Sequence, residues 1–219
     1  MPLGTGVRLP FADRTDAGRR LGDRLVAVLG PVSDPAVAVV LGLPRGGVVV
    51  AAEVARRLGA PLDAFIVRKL GVPGQPELAM GAIAAGGVVV RNEAVISARR
   101  LSPDEVAAVV AVEEAELARR ERAYRGDRPP PELRDRAVVV VDDGYATGAT
   151  ARAALQAVRA QGPAQLVLAV PVAPRDAVAG DADRLVALAR PWPFGAVGRY
   201  YRDFAATTDD EVRALLCTG

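Results

Sequence analysis

Histidine is absent from this 219-residue chain, cysteine occurs once, and Phe, Trp and Tyr together make up only 4% of it. Each scarcity excludes something. Without histidine there is no ordinary zinc site and no Ser-His-Asp or Cys-His mechanism, so any proton transfer must use a carboxylate, Tyr, Lys, the backbone or water. Cys217 alone makes no internal disulfide, which points to a reducing compartment and an expected cytoplasmic location. No run of about 18 apolar residues occurs, and the opening MPLGTGVRLPFADRTDAGRR lacks the apolar stretch of a signal peptide, so neither membrane insertion nor export is expected. The formal charge of +2 is nearly balanced although the pI is about 9.0, and no Lys/Arg run marks a nucleic-acid surface.

What is present is a 51% hydrophobic composition, ample for a core, and one stretch that states a chemistry. In VVVVDDGYATGAT, from Val138 to Thr150, the valines form an unbroken β-branched run, the pattern of a strand buried on both faces of a parallel sheet. Asp142 and Asp143 follow at its carboxyl end. Then Gly144, Ala146, Thr147, Gly148, Ala149 and Thr150 lead into the helical pattern ARAALQAVRAQG. In an open α/β sheet ligands sit beyond the carboxyl ends of the strands, and a Gly/Thr loop at a helix start offers free N–H groups and a positive dipole end to a phosphate. Adjacent carboxylates suit the vicinal hydroxyls of a ribose or, through water, a Mg²⁺ ion.

This stretch resembles the signature for phosphoribosyl pyrophosphate (PRPP) in the type I phosphoribosyltransferases, with four hydrophobics, two acids and a loop ending T-G-x-T. One departure stands out: Gly144 and Tyr145 occupy the place where a branched aliphatic residue usually follows the acid pair. The pattern is most similar to the stand-alone branch of that family, and the likeness runs from the PRGG loop to the YYRDF segment. It implies Mg²⁺ as cofactor, with Asp142 and Asp143 serving both ribose and metal, and Ala146, Thr147, Gly148, Ala149 and Thr150 holding the 5′-phosphate.

Along the chain, a first helix is expected from Asp13, its N-cap, to Leu29, bounded by GPVSDP; a buried strand follows from Ala36 to Leu43. PRGGVVVAAEVARRLG reads as a loop entering a helix that Gly59 closes, and LDAFIV as a second strand ending at Arg68 and Lys69. Strand, helix and strand within about thirty residues make a βαβ unit and hence a parallel sheet. From Gly71 to Ser97 the Gly- and Pro-rich text reads as a β excursion with a hairpin turn at Gly86-Gly87. Ser102, Pro103 and Glu105 open a long helix to about Arg125 whose many charges read as a solvated face. After GDRPPPELRDR come the signature strand and helix, the strand QLVLAVPV, a short helix from about Pro174, and the strand RLVALA.

The loop Leu41 to Gly47, LGLPRGG, places Arg45 between a proline and two glycines, where five fixed donors and a bare backbone suit an anion. It resembles the family's pyrophosphate loop, through Arg45 and Gly46. The resemblance carries a further pyrophosphate contact to Lys69 first and Arg68 second, so that Asp142, Asp143, Arg45 and Lys69 form the expected catalytic set. The long basic mobile loop of the orotate-type enzymes has no counterpart, since Gly71 to Val90 holds neither Lys nor Arg. Glu77 within it is a candidate for an acceptor or metal contact, or a plain turn acid.

PWPFGAVGRYYRDF, from Pro191 to Phe204, holds the single Trp and four of the eight other aromatics. Such density reads either as core packing of a C-terminal cap or as a hood that stacks an acceptor, with Trp192, Tyr200 and Tyr201 as the acceptor residues. The expectation is therefore an α/β fold, an open parallel sheet flanked by helices with a small hood or cap. It comprises one domain over residues 1–219, with a core of about 36–190 and a cap from about 1–30, 71–130 and 191–219. The expected activity is transfer of ribose 5-phosphate from Mg²⁺·PRPP to a nitrogen acceptor with release of pyrophosphate. The alternative is a PRPP- or nucleotide-sensing module that keeps the fold without turnover. PRPP and a small-molecule acceptor are the expected partners, a homodimer is possible, and nothing supports a nucleic acid or membrane partner.

Overall fold

The computed structural model describes residues 7–30 and 37–217. In chain order its elements are α1 (Arg14–Leu29), β1 (Ala38–Gly42), α2 (Gly46–Leu58), β2 (Leu62–Ala64), β3 (Val67–Val72), β4 (Gln75–Ala84) and β5 (Val88–Arg91). These are followed by α3 (Glu93–Ala98), α4 (Pro103–Arg125), β6 (Ala137–Val141), α5 (Ala149–Arg159), β7 (Gln165–Val172), β8 (Arg184–Ala189) and α6 (Asp209–Cys217), with a 3₁₀ turn at Val197–Tyr200. Ala36 and most of GPVSDP lie outside the described residues.

Five strands form one sheet in the order β2-β1-β6-β7-β8, every neighbouring pair parallel. Side chains alternate across it. Val40, Val139, Val141, Val167 and Ala169 face one layer, with Leu21 and Leu25 of α1, Val50 and Val54 of α2, and Val212 and Leu216 of α6. Val39, Leu41, Val138, Val140, Leu166 and Leu168 face the other, against Ala154, Leu155 and Val158 of α5. With both faces covered, the strands carry no polar alternation, as their sequence expects. No helix among the described residues is long and apolar enough to cross a membrane.

The excursion is a separate antiparallel sheet, β3-β4-β5. Its expected hairpin is there: Gly86 and Gly87 both take positive φ, 84° and 73°, which only glycine adopts without strain. The second strand departs from expectation. β2 is only three residues long, and the chain leaves the parallel sheet after Ala64, so Arg68 and Lys69 lie inside β3 rather than at the end of a parallel strand. Residues 93–98 form a helix, not a β run, because Asn92 caps it by accepting from the Val95 N–H. The short helix expected from Pro174 is absent; its residues take turns closed by Ala177 N–H to Pro174 O and Ala182 N–H to Ala179 O, with Gly180 at φ 60°.

α1 and α4 start as their caps dictate. Asp13 accepts from the Asp16 N–H at 2.7 Å, and Ser102 and Glu105 form a reciprocal capping box with Pro103 in the first turn. The far end of α4 is locked. Arg125, buried, donates to Asp63 Oδ2 at 2.7 Å, Glu121 Oε1 at 2.9 Å and Ala64 O at 2.9 Å, tying the helix to the end of β2.

Candidate active site

The chain runs from β1 outward to β2, then returns to place β6 on the other side of β1, so the strand order reverses between β1 and β6. At such a switch point the two loops beyond the strand ends diverge and leave a crevice for a ligand. Here those loops are Leu43–Arg45, entering α2, and Asp142–Gly148, entering α5. They press together. A side chain at Gly47 would put Cβ 2.9 Å from Asp142 Cα, and one at Gly46 would come 2.6 Å from Arg14 Nε and collide with the Asp143 carboxylate, so both positions exclude a Cβ. The Pro44–Arg45 peptide is cis.

Asp142 and Asp143 stand side by side at the crevice. Asp142 Oδ1 accepts from the Asp143 N–H at 2.8 Å. Burial first, and then the negative charge of Asp143, push the Asp142 carboxyl up from 3.8 to about 8. Asp143 Oδ2 is held at 2.8 Å by Arg14 Nε. Arg14 is 12% exposed; it also donates to Ala205 O at 2.7 Å and lies 3.8 Å over the Phe204 ring. Nothing local in the sequence singles out Arg14, whose carboxylate partner lies 129 residues away.

The loop that follows is open to solvent at Ala146, Thr147, Ala149 and Thr150. Among the described residues the Ala146, Thr147 and Gly148 N–H groups have no acceptor within the protein, and the Ala149 N–H reaches Thr147 Oγ1 only at 3.5 Å. Unpaired N–H groups at the start of α5, with two threonine hydroxyls beside them, make an anion-ready cradle. Gly148 sits at φ 70° beneath the buried Tyr145 ring, with which a Cβ there would collide. Gly144 lies directly under Val197. The unusual Gly-Tyr pair after the acids thus answers a packing demand on both sides. A cleft of about 400 Å³ joins Arg14, Asp142, Asp143, this loop, Val197 and Phe204.

Of the two readings of the C-terminal aromatics, core packing describes Tyr201, and the hood does not form from the expected rings. Tyr201 is 6% exposed, packed between Phe11 and Phe204, and its hydroxyl donates to Asp143 O at 2.6 Å. Burial first, and then Asp143's charge, push its phenol well above the usual tyrosine range. Tyr200 ends a 3₁₀ turn, not an extended segment, and its hydroxyl accepts from the Gly195 N–H at 3.2 Å. Trp192 is 74% exposed and, like both tyrosines, does not line the cleft; Phe204 is the ring that does.

Arg45 lies across the crevice, half exposed, with its Nη1 3.9 Å from Asp209 Oδ1. Arg68 and Lys69 are engaged elsewhere, Arg68 with Glu113 of α4 at 2.6 Å and Lys69 with Glu77 across the hairpin at 3.4 Å. Neither lines the crevice. In their place the structure brings up Arg119 and Arg120 of α4, which the sequence presents as part of a solvated face; with Arg45, Tyr124, Asp209 and Thr150 they border a second cleft of about 370 Å³.

Among the described residues no three acids, histidines or cysteines converge into an all-protein metal cage. Two adjacent carboxylates suit a divalent ion that completes its shell with water and substrate oxygens. Mg²⁺ fits this donor set, and Asp142 and the Asp143 oxygen that Arg14 leaves free would hold it.

Strand order, acid pair and anion-ready loop define an α/β protein of the phosphoribosyltransferase type. The sequence profile of the phosphoribosyl transferase domain matches residues 34–184, and the chain belongs to that family. Two curated proteins from two strains of Mycobacterium tuberculosis, whose names give phosphoribosyl transferase as a provisional assignment, are each 52% identical to it over 209 residues. The match covers 94% of this chain and 46% of each relative, so the chain spans about half the length of the curated relatives it matches. The crystal structure of TT1426 from Thermus thermophilus is similar throughout, with a TM-score of 0.83 at 45% identity over 96% of this chain and 99% of that one.

Proposed function

We propose that this domain binds Mg²⁺·PRPP and transfers its ribose 5-phosphate to a nitrogen acceptor, releasing pyrophosphate. The observation that carries the reading is the meeting, at the switch point, of the acid pair with the Ala146, Thr147 and Gly148 N–H groups, which have no protein partner among the described residues. The 5′-phosphate sits on Ala146–Thr150 and the dipole of α5. Asp142 and Asp143 accept from the ribose hydroxyls and fix the sugar, with Arg14 holding Asp143 in place. The pyrophosphate then lies over the Pro44–Gly47 loop toward Arg45, and the acceptor enters under Val197 and Phe204.

Displacement at the anomeric carbon passes through an oxocarbenium-like state, which needs positioning and charge rather than a nucleophilic side chain. The acid pair lies beside the developing positive charge and Arg45 beside the departing negative one. Mg²⁺, when bound, supplies the remaining neutralisation of the polyphosphate.

The test is pyrophosphate release from Mg²⁺·PRPP across a panel of nucleobases and small amines. Release that depends on an acceptor is expected. Tight PRPP binding with no release for any acceptor would replace the enzyme by a sensing module.

A further inference from the structure

The second cleft carries an assignment of its own. Arg119 and Arg120 of α4 line it together with Arg45 of the β1–α2 loop and with Thr150, the last residue of the phosphate cradle. Thr150 lines the first cleft as well. Arg119 gives Nε and Nη2 to Glu116, at 2.7 and 2.9 Å, leaving Nη1; Arg120 gives only Nε, at 2.8 Å, leaving both terminal amino groups. Arg45 has no hydrogen-bond acceptor among the described residues, and its nearest carboxylate, Asp209, stands at 3.9 Å. Three guanidinium groups thus meet two carboxylates, and the unpaired donors are of the kind that binds phosphoryl oxygens in pairs.

α4 is held where it is by contacts at several points along its length. Glu113 pairs with Arg68 of β3 at 2.6 Å, Tyr124 donates to Asp209 at 2.7 Å, and Arg125 is buried against Asp63. Its two arginines are therefore presented by a fixed helix, whereas the excursion Gly71–Val90 has no Lys or Arg to contribute.

We propose that Arg119 and Arg120 bind the diphosphate group of the donor together with Arg45, so that α4 supplies from a rigid element the positive charge the excursion lacks. This rests on the reading of the Pro44–Gly47 loop as the pyrophosphate end of the site.

Calorimetric titration at physiological ionic strength tests it, with inorganic pyrophosphate plus Mg²⁺ and, separately, ribose 5-phosphate. Arg119→Gln/Arg120→Gln should weaken pyrophosphate by about ten- to a hundredfold, as loss of charge-assisted bonds implies, and leave ribose 5-phosphate within about twofold. Arg119→Lys/Arg120→Lys should recover part of the loss, and both pairs should melt with the wild type. Unchanged pyrophosphate affinity in the Gln pair, with loss in Arg45→Ala, overturns the role of α4 and leaves the proposed function standing. Equal weakening of both ligands also overturns it, since a diffuse field or a fold defect would then be the cause. If the wild type binds neither ligand, the proposed function falls and this inference with it.

Discussion

Gly144 offers the sharpest test of how the C-terminal segment is seated on the acid loop. A Cβ built there would lie 2.7 Å from Val197 Cγ2, nearer still to Cγ1, and 3.1 Å from Val197 Cβ, while contacts under 3.0 Å are essentially never tolerated. Gly144 does not have a positive φ, so alanine brings no backbone strain and loses unfolded-chain entropy, worth about 0.4–1 kcal/mol in its favour. Overpacking costs about 1–3 kcal/mol. Gly144→Ala should therefore destabilise by roughly 1–2 kcal/mol net. Val197→Ala removes both Cγ atoms and, at a partly buried site, costs about 1 kcal/mol of packing. In that background Gly144→Ala should be neutral to within about 0.5 kcal/mol, a coupling of roughly 1–2 kcal/mol. Urea unfolding followed by far-UV circular dichroism on the four proteins of the cycle measures this. An equal loss from Gly144→Ala with and without Val197 would refute the contact.

Two further outcomes follow from the acid pair and the loop. Because Asp142 is raised from 3.8 to about 8, by burial and then by Asp143, the folded state keeps a proton that the unfolded chain has lost; its penalty grows as pH rises between those values and is full above them. Asp142→Asn, which keeps the oxygen that accepts from the Asp143 N–H, should then melt above the wild type near pH 9 with the gap closing by about pH 4, and a pH-independent difference would contradict the burial argument. Crystals soaked in ribose 5-phosphate should show the phosphate bonded to N–H groups of Ala146–Gly148, whereas a phosphate seated away from the start of α5 would contradict the cradle.

Most of the fold was legible because its signals are local. The valine run of β6, the capping box of α4, Gly59 closing α2 in the left-handed conformation and the Gly86-Gly87 turn each state their element within a few residues. The acid pair and the small-residue loop were legible for the same reason. What escaped depends on contacts distant in sequence. Arg14 meets Asp143 across 129 residues, and no local pattern marks it. Arg119 and Arg120 sit at helical spacing from Glu116, the usual pattern of a solvated face, and only the docking of α4 against β2 and β3 turns them toward Arg45. Arg68 and Lys69 read as a strand end because the apolar text of LDAFIV runs on, although β2 stops at Ala64. Aromatic density alone does not separate a ring that packs inward from one that meets a ligand, and the 3₁₀ turn at Val197–Tyr200 that decides this for the tyrosines has no local mark.

Whether Asp142 and Asp143 hold the ribose and its metal ion is decided by calorimetry of Mg²⁺·PRPP with the wild type and with Asp142→Asn/Asp143→Asn. The substitution keeps size, leaves an oxygen for Arg14 to bond, and removes the charge that would face the sugar and the ion. PRPP affinity should fall by about tenfold or more while the circular dichroism spectrum is unchanged. PRPP bound by the double variant as tightly as by the wild type would contradict it.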